Sequence, residues 1–498
     1  MWQSNLLVVI PLLALQTLVL ESLLEECKFR SIHQIELQKY RDDGPYFPKA
    51  GKTLPLVKKV TPLMKEVFGY YPYWRGTRYR SLNYELISTI AYFGVELNGN
   101  GNITHYHGWP VNDLINLAHS HGVRVVLVGI CFDANQIHSI ITNSSATLNA
   151  IHNLLYQVEN SNADGVNIDF ELPPSTDRAN MTSFMKALAD TFHSHNPEYF
   201  VTLCVTAVNW NDRFQCKELA EVTDGLVIMG YDYYWSGSPY AGPVAPLTGN
   251  TYYGSYNVTN TVNYYLLQTH NDTSKIILGV PYYGYDWPTT DSAPRSTATS
   301  NATSKIYSVA ESNASYYGKL WDDVSQTPWY HYKSGGWHQC WYDDATSLSL
   351  KYDLVNNKKL KGIGIWALSY DYGRVELWDA IYTHFVLPNG IEEILLDTHA
   401  SLRVCPNPFS KTVEIKFQLP TIDYQSPVTN YQLPITLAIY DLSGRLIRNL
   451  MNEPYDRLPV TITWDGKTDN GKSIRTGIYF CKLTIGNTNL TKKLVLIR

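Results

Sequence analysis

Eight short apolar runs recur between positions 67 and 369 of this 498-residue chain, and segments long enough for helices separate them. Apolar residues are spaced as in helices in Val111–Ala118, Leu148–Glu159, Thr182–His195, Asn260–Gln268 and, after the last run, Val375–Phe385. Strands that alternate with helices pair in parallel, and eight such units predict an α/β fold, a closed (β/α)8 TIM barrel. The predicted strands are Val67–Trp74, Leu86–Phe93, Arg124–Ile130, Gly165–Glu171, Phe200–Ala207, Gly225–Tyr231, Ile276–Tyr283 and Gly362–Ser369.

The fourth predicted strand carries acidic residues on one face. Polar and apolar residues alternate along it, so Asn167, Asp169 and Glu171 project from the same side. An unpaired buried charge is costly, so acids on an inward face indicate acid/base chemistry. The alternative, an edge strand with solvated acids, is disfavoured because the residues between them are apolar and also require burial. Glu171 would lie at the carboxyl end of the strand, where active sites of such barrels lie.

Spacing alone leaves the roles of the two acids open. Residues two apart on a strand are separated by about 6.5–7 Å at the backbone. Asp169 and Glu171 could therefore be a nucleophile and a general acid, or a general base and a general acid.

The segment 164–171 resembles the signature of glycoside hydrolase family 18, the chitinases and their relatives, which reads Asp-Gly-apolar-Asp-apolar-Asp-aromatic-Glu. The resemblance implies a retaining, substrate-assisted mechanism in which Glu171 is the general acid and Asp169 orients and stabilises the acetamido group of the sugar. Asn167 departs from the signature; it can hydrogen-bond Asp169 but cannot relay a proton. The family's Ser-x-Gly-Gly on strand three is also absent, with Val128–Cys131 there instead. We expect catalysis to persist, at a lower rate or with a displaced pH profile.

Other segments resemble the same family. Met229–Asp232 resembles its Met-x-Tyr-Asp, which implies that Tyr231 hydrogen-bonds the acetamido oxygen and that Asp232 contacts the sugar. Trp366 resembles the tryptophan beneath the distorted sugar. The expected catalytic residues are Glu171, Asp169 and Tyr231. The expected substrate-binding residues are Asn167, Asp232, Tyr70, Trp74, Met229, Tyr283, Trp287 and Trp366. No metal site or cofactor is expected, because no Cys-x-x-Cys pair or His cluster has metal-ligand spacing.

The connection between strands seven and eight is long enough for a small inserted subdomain or an extended helix and loop. Its segment Trp341–Asp344, with Leu278–Trp287, resembles more loosely the bacterial subgroup near spore peptidoglycan hydrolases. The resemblance to family 18 as a whole implies cleavage of chitin or chitin oligomers, β-1,4-linked polymers of N-acetylglucosamine, whereas the looser resemblance points to peptidoglycan. Peptidoglycan is the alternative substrate, and a non-catalytic sugar-binding protein on the same barrel is a third reading, which the presence of Glu171 disfavours.

The region 401–498 has a different pattern, alternating strands and turns, which predicts a small all-β immunoglobulin-like sandwich. Its predicted strands are Val413–Leu419, Ile435–Asp441, Val460–Trp464, Gly477–Ile485 and Leu490–Ile497. Segments that resemble type IX secretion sorting domains, and equally the module of flagellar hook-capping proteins, are Cys405–Phe409, Tyr440–Arg445, Trp464–Gly466 and Gly477–Tyr479. The resemblance implies a secreted or cell-surface protein that engages secretion machinery; the alternative is a plain immunoglobulin-like spacer.

The amino-terminal apolar run Leu6–Leu20 has the length of a signal-peptide core. We therefore divide the chain into a signal peptide or membrane anchor (1–24), a loosely structured lead-in segment (25–62), the barrel (63–388), a linker (389–400) and the sandwich (401–498). A net charge of −5 with no basic block argues against a nucleic-acid partner. Seven scattered cysteines, an odd count, predict no disulfide framework. We expect a monomer that binds an N-acetylglucosamine-containing polysaccharide.

Overall fold

The computed structural model describes residues 29–42, 52–59, 61, 63–386, 401–418, 434–442, 444–454, 460–485 and 488–497. They belong to two compact units that divide between Val386 and Leu387. The predicted signal peptide or anchor and the predicted linker lie outside the described residues. Within the described part of the chain, no helix combines the length and the apolarity needed to cross a membrane.

A closed barrel of eight parallel strands forms the first unit. Strand β1 pairs with β2 on one side and with β14 on the other, which closes the ring. Every one of the eight predicted strands is present, so the TIM-barrel prediction is confirmed. The barrel strands are β1 (Glu66–Pro72), β2 (Thr89–Leu97), β4 (Arg124–Cys131), β5 (Gly165–Phe170), β6 (Phe200–Thr206), β7 (Gly225–Met229), β8 (Ile276–Pro281) and β14 (Gly362–Trp366), with β3 (Ile103–His105) paired antiparallel to β2.

Helices alternate with these strands, and the five predicted helical segments all lie in helices. Local signals fix their ends: Asn143 caps the start of the helix 144–161, and Asp344 forms a capping box with Ser347. Within the described residues, the α-helices of the first unit are Ile32–Tyr40, Asn112–Ser120, Ala134–Thr142, Ser144–Ser161, Arg178–His195, Cys216–Val222, Val258–Gln268, Tyr307–Tyr317, Ala345–Asn357 and Glu376–Phe385.

The connection between β8 and β14 is an inserted subdomain rather than a helix and loop. Five antiparallel strands form its sheet in the order β10-β9-β13-β12-β11, and the helix Tyr307–Tyr317 belongs to it. The strands are β9 (Tyr283–Thr289), β10 (Thr303–Ile306), β11 (Leu320–Asp322), β12 (Thr327–Lys333) and β13 (Trp337–Trp341). Because β9 starts two residues after β8 ends, the insertion is anchored at the carboxyl end of the barrel strands.

The lead-in segment is not loosely structured throughout, and that prediction is wrong for the helix Ile32–Tyr40, called the lead-in helix below. Ser31 caps its start by accepting a hydrogen bond from the Gln34 N–H. An isolated helix of nine residues is marginal in water, so tertiary contacts must stabilise it. Its buried residues, Ile32, His33, Glu36 and Leu37, provide those contacts at the mouth of the barrel.

The second unit is all-β, as predicted. Two sheets, ordered β15-β16-β19 and β18-β17-β20-β21, share one apolar core in which Trp464 and Phe409 are fully or almost fully buried. Two of its strands, β15 and β18, were not predicted. The strands are β15 (Ser401–Cys405), β16 (Val413–Gln418), β17 (Pro434–Asp441), β18 (Leu446–Pro454), β19 (Val460–Trp464), β20 (Gly477–Ile485) and β21 (Thr488–Leu496). No disulfide joins the six described cysteines of the two units.

Candidate active site

Asn167, Asp169 and Glu171 lie in or directly after β5, and all three are buried. Asn167 does not form the hydrogen bond to Asp169 that the sequence allowed. Its Nδ2 donates to Thr202 Oγ1 at 2.9 Å, and its Oδ1 accepts from the Tyr70 hydroxyl and from Cys204 Sγ, each at 3.3 Å. The amide therefore ties β5 to β1 and β6 below the two acids.

Glu171 has the properties of a proton donor. Its side chain is only 5% exposed, and its pKa is raised well above 4.5, first by burial and then by the negative charges of Asp169 and Asp232. A hydrogen bond from Ser31 Oγ to Glu171 Oε1, 2.6 Å long, opposes this rise. The protonated carboxyl is favoured, as a general acid requires.

Asp169 lies one pleat deeper and is completely buried. Its Oδ2 lies 2.8 Å from His33 Nδ1, while its Oδ1 has no hydrogen-bond partner among the described residues. A carboxylate with a free oxygen at this depth can accept a further hydrogen bond or stabilise a positive charge.

Tyr231 and Asp232 follow β7 and face the acids. The Tyr231 hydroxyl lies 2.8 Å from His33 Nε2, and the Tyr283 hydroxyl donates to Asp232 Oδ1. Burial raises the pKa of Asp232 to about 6, although hydrogen bonds from Tyr283 and from the Ile32 N–H lower it. Met229, the last residue of β7, is buried beneath this pair.

Aromatic rings form the floor of the site around Trp366, which ends β14 and is completely buried. Tyr70, Phe93 and Trp74 surround it, with ring centroids 5.5, 4.9 and 6.5 Å away. Trp287 lies further off, in β9, where its ring contacts Tyr285 at 5.5 Å. The fold thus brings the predicted site residues together, and ring contacts through Tyr285 and Tyr283 connect Trp287 to them.

Sequence reasoning missed the residues of the lead-in segment that contact this site. The His33 ring stacks on Trp366 with centroids 3.6 Å apart and an interplanar angle of 25°, while its two nitrogens contact Asp169 and Tyr231. The Ile32 N–H donates to Asp232 Oδ2 at 2.8 Å. The local sequence offered two weak signals of a helix here. Ser31 is a possible cap before an apolar residue, and His33 and Glu36 are three apart, on one helix face.

The lead-in helix also covers the aromatic floor. Trp366 Nε1 and the Tyr370 hydroxyl both donate to Glu36 Oε2, at 3.1 and 2.7 Å. Burial raises the pKa of Glu36 to about 7, and these two hydrogen bonds oppose the rise. At the end of the helix, the Tyr40 ring stacks on Trp74 with centroids 5.1 Å apart.

Among the described residues, one group of side chains could offer atoms to a metal ion, namely His33, Asp169 and Glu171, whose ligand atoms lie within 4.8 Å of one another. The 2.8 Å between His33 Nδ1 and Asp169 Oδ2 is a hydrogen-bond distance. Two ligands of a tetrahedral zinc ion would lie about 3.3 Å apart at ordinary bond lengths. The group therefore fits a hydrogen-bonded contact better than a metal site.

The arrangement can protonate a leaving oxygen through Glu171 while Asp169 and Tyr231 bind a polar group above an aromatic ring. A proton donor beside a second carboxylate is what cleavage of a glycosidic bond requires.

Comparison with known proteins agrees with this chemistry. The family described as "Glycosyl hydrolases family 18" matches residues 66–371, and the "Secretion system C-terminal sorting domain" matches residues 403–497. The second match confirms the prediction of an exported protein, secreted or held at the cell surface.

Individual relatives carry related names. Human di-N-acetylchitobiase is 30% identical over 341 residues, 61% of this chain and 80% of the relative. YdhD of Bacillus subtilis, named as a sporulation-specific glycosylase, is 27% identical over 300 residues, 57% of this chain and 66% of the relative. Among solved structures, the C-terminal domain of a protein called a chitinase in Desulfitobacterium hafniense is 25% identical with a TM-score of 0.56, and the match covers 64% of this chain and 99% of that domain.

Proposed function

Because the chain belongs to glycosyl hydrolase family 18 and is a glycosidase, we propose that it cleaves chitin or chitin oligomers by a retaining, substrate-assisted mechanism. The observation that carries this proposal is the arrangement of Glu171, Asp169 and Tyr231 around Trp366. Three features support it: the raised pKa of Glu171 favours a protonated carboxyl, Asp169 and Tyr231 offer a carboxylate and a hydroxyl to one flat polar group, and Trp366 offers a ring on which a sugar can stack.

In the first step, Glu171 donates its proton to the glycosidic oxygen, and the bond from that oxygen to the anomeric carbon breaks. The carbonyl oxygen of the sugar's own acetamido group attacks the anomeric carbon and forms an oxazolinium ion. Asp169 accepts a hydrogen bond from the acetamido nitrogen and stabilises the positive charge, while the Tyr231 hydroxyl donates to the acetamido oxygen as it attacks.

In the second step, the Glu171 carboxylate takes a proton from water, and the water oxygen attacks the anomeric carbon from the side that the leaving group vacated. The oxazolinium ring opens, the acetamido group is restored, and Glu171 is protonated again. Two inversions at one carbon give net retention. Only sugars with a 2-acetamido group can follow this route.

His33 supports the assignment of the acetamido position. Its imidazole lies on Trp366, with one nitrogen on Asp169 and the other on Tyr231. A planar acetamido group has a nitrogen and an oxygen that can meet the same two partners. The site thus offers a complementary pair of polar contacts to a flat polar group in this position.

Peptidoglycan is the second candidate substrate, because the relatives include the glycosylase YdhD and a cortical fragment-lytic enzyme of Bacillus subtilis. Its N-acetylglucosamine units carry the acetamido group that the mechanism needs. Mass analysis of products from chitin oligomers and from purified cell walls separates the two substrates.

The test replaces Glu171 with Gln, which keeps the size of the side chain and removes the proton. Residues 29–42 lie over the acids, so E171Q is made in two proteins. One is the full chain, and the other, called the replacement variant, carries a Gly/Ser sequence of equal length in place of residues 29–42. General acid catalysis contributes about 10²–10⁴-fold, so E171Q should lower kcat on chitin oligomers by that factor. The exposed Glu198→Gln is the matched control and should retain activity. Equal kcat in E171Q and the unsubstituted protein would refute the assignment of the acid.

A further inference from the structure

The lead-in segment contacts every group to which the proposed mechanism assigns a chemical role. Ser31 bonds Glu171, and His33 bonds both Asp169 and Tyr231. These contacts join residues from 136 to 198 positions apart in sequence, so they come from the fold and not from local chain geometry. The segment lies in the first unit together with the barrel.

The position of His33 is incompatible with a bound sugar in the same place. A ring centroid 3.6 Å from Trp366 is at stacking contact, so no second ring fits between them. The helix then continues across the aromatic floor to Trp74, where Tyr40 stacks. Substrate and lead-in helix therefore compete for one surface, from the acids to Trp74.

We propose that residues 29–42 are an intramolecular inhibitor that occupies the substrate cleft and must leave before a polysaccharide can bind. The identity of the excluded substrate rests on the proposed function; the occupation of the cleft does not.

The contacts are of a kind that permits release. The helix buries two apolar side chains, Ile32 and Leu37, and otherwise docks through hydrogen bonds and stacked rings. At the end of the helix, Arg41 donates two hydrogen bonds to Glu96, at 3.1 and 2.6 Å, and because the Arg41 side chain is about half exposed, water and salt screen this pair. Because nine residues do not form a stable helix alone, the helix unfolds when it undocks. The conformational entropy that the segment gains on unfolding partly offsets the free energy of the contacts that it loses.

An intramolecular competitor has a defined kinetic signature. Substrate binds only to the open fraction, so the apparent KM equals the KM of the open enzyme divided by that fraction. At saturating substrate the helix is displaced and kcat is unchanged. If the segment had a purely structural role, replacing it would change the unfolding temperature and leave KM unchanged.

The first test variant is His33→Asp, which places a carboxylate against Asp169 and Glu171 and repels the helix from the site. The matched control is Gln38→Asp, which places the same carboxylate on the exposed face of the same helix. We expect KM for a chitin tetramer to fall at least tenfold in H33D and in the replacement variant, with kcat unchanged, and to stay at the original value in Q38D. An unchanged KM in the replacement variant would overturn the proposal, whatever H33D does.

Binding and hydrogen exchange test the inhibitor independently of catalysis. In the E171Q background, the replacement variant should bind the tetramer at least tenfold more tightly than the otherwise unaltered chain. The amides of residues 32–40 should be protected from exchange in the original protein and in Q38D, and should lose protection in H33D. If no form of the protein hydrolyses the tetramer but the difference in binding persists, the proposed function fails and the inhibitor stands. Equal binding by both forms, or unprotected amides in the original protein, would refute the inhibitor alone.

Discussion

Glu36 should make docking of the lead-in helix dependent on pH. Burial raises the pKa of this carboxyl from its ordinary value of 4.5 to about 7. The groups that face it are Trp366 and Tyr370, which donate hydrogen bonds, the cation of Lys39, and Asp232 and Tyr285. Once the helix leaves, Glu36 is exposed to water and its pKa returns towards 4.5. The docked state therefore holds the proton more tightly than the open state.

The sign of the effect follows from this difference. Below pH 4.5 Glu36 is protonated in both states, and docking has its full strength. As the pH rises, the open state loses its proton first, and docking weakens until the docked carboxyl also ionises near pH 7. Each pH unit corresponds to about 1.4 kcal/mol, so docking weakens by about 3 kcal/mol, on the order of 10²-fold.

The measurement is the ratio of kcat/KM between the full chain and the replacement variant from pH 4.5 to 8. Dividing one by the other cancels the pH dependence of catalysis by the open enzyme and leaves the pH dependence of the open fraction, to which Glu171 and Asp232 also contribute. The ratio should rise on the order of 10²-fold, or until it reaches one. Glu36→Gln is the matched control, because its amide oxygen can accept the same hydrogen bonds and the side chain does not titrate. A ratio that is flat with pH, or that rises equally in E36Q, would refute the role of Glu36.

Three further predictions concern the barrel, and activities refer to the replacement variant. Tyr231→Phe removes the hydroxyl expected to hold the acetamido oxygen and should lower kcat about 10²-fold, with little change in KM; an unchanged kcat would contradict that role. Asn167→Asp adds a carboxyl near Asp169 and should raise the pKa of Glu171 further, so that the alkaline limb of the kcat/KM profile moves to higher pH; a limb that stays in place would count against this coupling. Lys351→Met leaves the buried Asp343 without its cation and should cost about 3 kcal/mol or more in denaturant unfolding, whereas Lys186→Met, in an exposed pair, should cost under about 1 kcal/mol.

The barrel and its acids could be predicted because their signals are local. Each strand that is buried on both faces is a short apolar run, and the two-residue period of β5 fixes which side chains share its inner face. In the second unit, the two unpredicted strands, β15 and β18, are both at the edge of their sheets. The other two edge strands, β19 and β21, were predicted, so edge position by itself does not hide a strand.

The lead-in helix could not be predicted for a different reason. Only two of its four buried residues, Ile32 and Leu37, are apolar; the other two, His33 and Glu36, are polar. A buried polar side chain is stable only where it has hydrogen-bond partners. Here the partners of His33 and Glu36 lie in β5, directly after β7 and in β14. Nothing near position 33 in the sequence specifies them. For the same reason, the sequence pattern of the segment predicts a loosely structured polar region, although the segment is hydrogen-bonded to Asp169 and Glu171.

Two causes raise the pKa of Glu171, and only one of them remains in full when the lead-in segment leaves the site. The charge of Asp169 belongs to the barrel and remains when the lead-in segment leaves, whereas part of the burial is contributed by the segment itself through Ser31 and His33. When the segment leaves, the loss of that burial lowers the pKa of Glu171, whereas the loss of the Ser31 hydrogen bond raises it. A sugar that stacks on Trp366 excludes water from the same place and restores the burial. The lead-in segment and a bound sugar thus act on Glu171 in the same way, because each excludes water from the carboxyl and so favours its protonated form.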